Sequence, residues 1–109
     1  MSVVINGTDG IDFNLDASKI KLGVDDDLQI YHDGSHSYIK DVGTGDLKIT
    51  SDGGQVVFQK GTSETLAAFA TDSGCELYYD NSKKLETTSA GAKVTGELEL
   101  TTHLDMPDD

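Results

Sequence analysis

Turn residues break this chain so often that no long helix has room to form. Asn6-Gly7, Asp9-Gly10, Asp33-Gly34, Gly43-Thr44-Gly45, Asp52-Gly53-Gly54, Ser73-Gly74 and Thr95-Gly96 recur along 109 residues. Gly, Asn and Asp supply the positive-φ and side-chain-bonded conformations that tight turns need. Between them lie short runs in which apolar residues alternate with polar ones, the period of a strand with one buried face. Ile11-Asp12-Phe13-Asn14-Leu15 is one such run; Ile20 and Leu22, Leu28 and Ile30, Leu47 and Ile49, Val56 and Phe58, and Leu98 and Leu100 mark others. The pattern predicts an all-β chain of about ten short strands. Ser63 to Ala70 fits either a helical turn or a strand; it is too short before Gly74 for a helix and reads as a strand.

Two blocks repeat in the same order. Leu28-Gln29-Ile30-Tyr31-His32-Asp33-Gly34-Ser35 is echoed 47 residues later by Cys75-Glu76-Leu77-Tyr78-Tyr79-Asp80-Asn81-Ser82. Each reads as a strand ending in an aromatic pair or an aromatic and a histidine, then a turn. Thr44-Gly45-Asp46-Leu47-Lys48-Ile49-Thr50 is echoed 51 residues later by Thr95-Gly96-Glu97-Leu98-Glu99-Leu100-Thr101. A weaker third echo sets Leu104-Asp105 against Leu15-Asp16. Repeats of this kind stack their hairpins in a solenoid, a prism or a sandwich. The expected organisation is a single structural module: lead-in strands over 1–24, a first hairpin repeat over 25–54, spacer strands over 55–74, a second hairpin repeat over 75–102 and an acidic tail over 103–109.

Composition then argues for self-association. Apolar residues make up 36% of the chain, with no Trp. A chain this small buries only about two-thirds of its unfolded surface, so its own core is thin. Identical chains that share apolar faces remedy the shortage, and Leu28, Ile30, Leu47, Ile49, Val56, Phe58, Leu98 and Leu100 are the expected core or oligomer face. The formal charge of −12 repels phosphate backbones and anionic lipid, so nucleic acid and membrane are excluded as expected partners. The N-terminal stretch has no basic region and no long apolar core, and Cys75 is the single cysteine. Synthesis and folding in a reducing cytoplasm are therefore expected.

The candidate chemistry is sparse. His32 and His36 flank a turn and are the candidate transition-metal ligands; the corresponding residues of the second repeat, Tyr79 and Lys83, weigh against a metal. Asp25-Asp26-Asp27 and Asp108-Asp109 offer carboxylates for calcium. The spaced ligand loop of a calcium site is missing, and adjacent residues of an extended segment point to opposite faces. Cys75 has no activating neighbour in sequence and reads as a small buried residue, and His103 falls in the tail. No nucleophile elbow, phosphate loop or dinucleotide fingerprint occurs, so no enzyme activity and no cofactor are expected. Tyr31, Tyr38, Tyr78 and Tyr79 cluster about the two turns. They either cover hairpin flanks or stack on a glycan.

Asp26-Asp27-Leu28-Gln29-Ile30-Tyr31-His32-Asp33-Gly34-Ser35-His36-Ser37-Tyr38-Ile39 resembles a segment that recurs in marine phage virion proteins, the tail-fibre-like and structural proteins of cyanophages and their relatives. Glu76 to Thr88 and Leu104 to Asp108 are similar to companion segments of the same proteins. Together they cover under half the chain. The resemblance implies a fibre or appendage on the virion surface, built as an intertwined or stacked homotrimer and made in the host cytoplasm. It further implies other virion proteins as partners and transfers no catalytic residue; the alternative function, read from the hairpin tyrosines, is a β-sandwich or prism module that binds host surface glycans. Such proteins are longer than this chain, which leaves a shaft segment, a decoration protein or a filament subunit as the expected roles.

Overall fold

The computed structural model describes residues 3–8 and 10–107. The expected Asp9-Gly10 turn falls partly, and the Asp108-Asp109 carboxylates wholly, outside the described residues. Ten strands and no helix are present among them: β1 (Val3–Asn6), β2 (Gly10–Phe13), β3 (Lys19–Leu22), β4 (Leu28–His32), β5 (Ser37–Asp41), β6 (Gln55–Lys60), β7 (Glu64–Ala70), β8 (Cys75–Tyr79), β9 (Ser82–Thr88) and β10 (Gly91–Val94). Every pairing is antiparallel and joins strands consecutive in the chain. The turn chemistry accounts for that topology, because short loops return the chain beside the strand it has just left. Ser63–Ala70, ambiguous by pattern, holds the seven-residue β7.

The chain forms two units, 1–48 and 49–109. The first holds the β1–β2 hairpin and a three-stranded sheet in the order β3-β4-β5. The second is a five-stranded meander, β10-β9-β8-β7-β6. None of the sheets closes on itself.

Both aligned hairpins of the repeat exist, as β4–β5 and β8–β9, but their loops differ. The first has four residues, 33–36, and Asp33 organises it. Its Oδ1 accepts from the backbone N–H of Ser35 at 2.9 Å and of His36 at 2.8 Å, while its own N–H bonds the His36 carbonyl. The second has two residues, Asp80 and Asn81, at φ 47° and 63°. Two consecutive positive φ values are the signature of a type I′ turn, whose twist matches that of paired strands. Asn81 Oδ1 also accepts from the Thr65 N–H at 3.1 Å, which ties this turn to the start of β7.

The second pair of aligned blocks departs from expectation. Asp46–Thr50 and Glu97–Thr101 lie outside every strand, although Leu47/Ile49 and Leu98/Leu100 carry the alternation of one. Each follows the last strand of its sheet and a Thr-Gly bend, with Gly45 at φ 91° and Gly96 at φ 111°. Alternation makes a segment fit for pairing, but a ladder needs a partner backbone. Neither segment has one among the described residues.

Very little of the chain is buried. Ala68, on β7, is the one buried hydrophobic residue among those described, at 3% exposure. The accessible surface is 9110 Å². A compact monomer of 11.6 kDa exposes about 5800 Å², and two separately compact units of about half that mass about 7000 Å².

Candidate self-association surface

Strand register sorts the side chains of the three-stranded and the five-stranded sheet into two unlike faces. In the three-stranded sheet Ile20 pairs with Ile30, and Ile30 with Ile39; one step along the alternation, Leu22 pairs with Leu28. These five residues share one face, and Ile20, Leu22, Ile30 and Ile39 are exposed there. The opposite face carries Lys19, Lys21, Gln29, Tyr31, Tyr38 and Lys40 by the same register.

The five-stranded sheet repeats the arrangement on a larger scale. Phe58, Ala67, Leu77, Leu85 and Val94 form one continuous row across all five strands. Val56, Phe69 and Cys75 form a second row on the same face, where Ala92 also lies. Phe58 and Phe69 meet edge to face with ring centroids 6.0 Å apart, a favoured geometry for aromatic pairs. A shallow recess of about 230 Å³ opens between Phe69, Cys75, Leu77, Leu85 and Ala92. Phe58, Phe69, Leu77, Leu85 and Val94 are all exposed. Soluble monomers rarely leave contiguous apolar faces of this kind open to water.

Two bulges keep the rows in line. The β8–β9 register slips between Leu77 and Tyr78, so that Leu77 opposes Leu85 while Tyr78 opposes Lys83, leaving Lys84 as the extra residue. Without the slip, alternation would place Lys83 beside Leu85 on the apolar face. With it, Lys83 sits on the other face, where Glu76 and Glu86 oppose each other in register. Its ammonium pairs with the Glu76 carboxylate and approaches that of Glu86 at 3.6 Å. The hydrogen bond from Lys83 lowers the Glu76 pKa, and the same bond raises that of Lys83. Tyr78 donates to Glu76 at 3.2 Å; partial desolvation, then this bond, raises its hydroxyl pKa. The second bulge, between Phe58 and Gln59, leaves Leu66 as the extra residue and sets Thr65 opposite Gln59, off the apolar face.

The remaining expected site residues are distributed as follows. Leu28, Ile30, Val56 and Phe58 stand on the apolar faces, whereas Leu47, Ile49, Leu98 and Leu100 are exposed on the unpaired segments. His32 ends β4 and its Nδ1 lies 2.9 Å from Ser37 Oγ. His36 lies in the loop, edge-on to Tyr38 at 6.4 Å. No cluster of three or more metal-ligating side chains is present among the described residues. Tyr31 and Tyr38 oppose each other across β4–β5 and stack at 4.8 Å, with the Lys19 ammonium 4.5 Å from the Tyr31 ring centroid. Tyr38 donates to Asp33 Oδ2 at 3.1 Å, which raises its pKa. Tyr79 is 75% exposed. The second Asp of Asp25-Asp26-Asp27 pairs with Lys21 at 3.0 Å in the β3–β4 loop.

Cys75 corrects the sequence reading: it is exposed, not buried. It opens β8 on the apolar face opposite Phe69, and that face is uncovered in a single chain. Phe69, Leu77, Leu85 and Val94 were missing from the expected face. Leu77 and Leu85 sit next to a bulge, and Phe69 and Val94 share their strand sides only with the small Ala67 and Ala92, so the row exists only once five strands are aligned. The whole-row regularity is visible in the register and in no single segment. Comparison with protein-family models, with curated proteins and with solved structures finds no match to this chain.

Proposed function

We propose that the chain is a non-enzymatic structural module that assembles with copies of itself, as a segment of a homo-oligomeric viral fibre or appendage. The observation that carries the reading is the one-sided, solvent-open apolar row Phe58, Ala67, Leu77, Leu85 and Val94 on a five-stranded sheet. The surface exceeds that of two separately compact units of half the mass by about 2000 Å². Obligate interfaces bury areas of this order. The resemblance of Asp26 to Ile39 to marine phage virion proteins supports the fibre assignment and a trimer, with a decoration protein or filament subunit as neighbouring versions of the same role. Glycan recognition would fall first to Tyr79, the most exposed of the hairpin tyrosines, since Tyr31 and Tyr38 occupy each other's faces.

Mass in solution tests the proposal. Light scattering is expected to give a multiple of 11.6 kDa, three-fold for the trimer. Association is expected to strengthen with salt, because each chain brings a formal charge of −12 and screening weakens the repulsion between copies. A stable monomer at all salt and protein concentrations would overturn it.

A further inference from the structure

We infer that Asp46–Thr50 and Glu97–Thr101 are intermolecular strands, the first of one copy pairing antiparallel with the second of the next copy. This rests on the self-association proposed above and names the segments that perform it. Both segments have the sequence acid, Leu, charged residue, Ile or Leu, Thr. Both leave a sheet through a positive-φ glycine, lie outside every strand, and expose two large apolar side chains on alternate positions. A five-residue segment with strand alternation and an unpaired backbone is a ready template for another chain.

Charge selects the pairing. The central residues are Lys48 in one segment and Glu99 in the other. Antiparallel pairing centred on them opposes Lys48 with Glu99, Leu47 with Leu100, Ile49 with Leu98, and each leading acid with a Thr. In-register parallel pairing would set Asp46 against Glu97, and antiparallel pairing of either segment with itself would set Lys48 against Lys48 or Glu99 against Glu99; like charges directly opposite destabilise a sheet. A contact between two different segments is heterologous, so it propagates from copy to copy. It closes into a ring when the rotation allows and otherwise builds a filament.

The test combines amide exchange with a charge swap on the full chain. In the assembled protein the amides of Leu47–Thr50 and Leu98–Thr101 are expected to exchange at least about a hundredfold more slowly than in the dilute, dissociated chain. Lys48→Glu is expected to weaken association by up to about fivefold per contact, and the double variant Lys48→Glu, Glu99→Lys to restore it. Circular dichroism checks that the variants, altered only outside the strands, keep their β content. An assembly of normal mass whose segment amides exchange at free-chain rates would overturn this inference and leave the structural module standing, as would a double variant that fails to recover. Protection that persists in a dilute monomer would also overturn it. Absence of any assembly would remove the module itself.

Discussion

Ala17 holds φ 68° in the connection before β3, where its N–H bonds the His32 carbonyl at 2.7 Å. A side chain in this left-handed region costs about 1–2 kcal/mol. Ala17→Gly is therefore expected to stabilise the chain, by about 0.5–1 kcal/mol after the larger unfolded-state entropy of glycine is subtracted. Chemical denaturation of the two proteins measures it; a destabilised variant would show that the methyl group makes a contact worth more than the strain. No turn signal pointed to Ala17, because alanine carries none. Asp80 and Asn81 are the opposite case. Residue types that tolerate positive φ stood between two alternating runs and marked a turn, and the structure places both at positive φ.

Hairpins were legible as elements, and their differences were not. Aligning Asp33-Gly34-Ser35 with Asp80-Asn81-Ser82 equated a four-residue loop with a two-residue one, and so equated His36, in a loop, with Lys83, in a strand. The distinction lies in the Asp33 side chain, which closes the longer loop. The backbone N–H groups of His36 and Ser35 hold its carboxylate and lower its pKa from the ordinary 3.8. A lowered native pKa means that the unfolded chain takes up the proton first. The stabilisation is thus fully present above the ordinary value and is lost as pH falls from there through the lowered native one. Titration of the wild type and Asp33→Asn should show the variant's deficit shrinking through that range; a deficit independent of pH would remove the carboxylate from the account. The aligned Leu47 and Leu98 segments teach the reverse lesson, since both copies lie outside every strand despite reading as strands.

At the scale of the molecule the deciding feature is the uncovered row on the larger sheet. Leu77 and Leu85 oppose each other in it, and both are exposed in one chain. Leu77→Lys with Leu85→Lys is expected to leave the β content unchanged and to weaken association more than about a hundredfold, since each side chain forfeits about 1.5–3 kcal/mol of burial. The melting temperature of the wild type should rise with protein concentration, and that of the double variant should not. A variant that assembles like the wild type would place the interface elsewhere. Sequence by itself determined the all-β character, the short antiparallel connections and the two homologous hairpins, because turn chemistry and period-2 alternation act over a few neighbouring residues. Only the tertiary structure decided which apolar residues stand in one row, that Lys83 is turned off that row by a bulge, and that two alternating segments lack a partner. Each of those depends on register between strands, and register is a property of pairs of segments that no single segment carries.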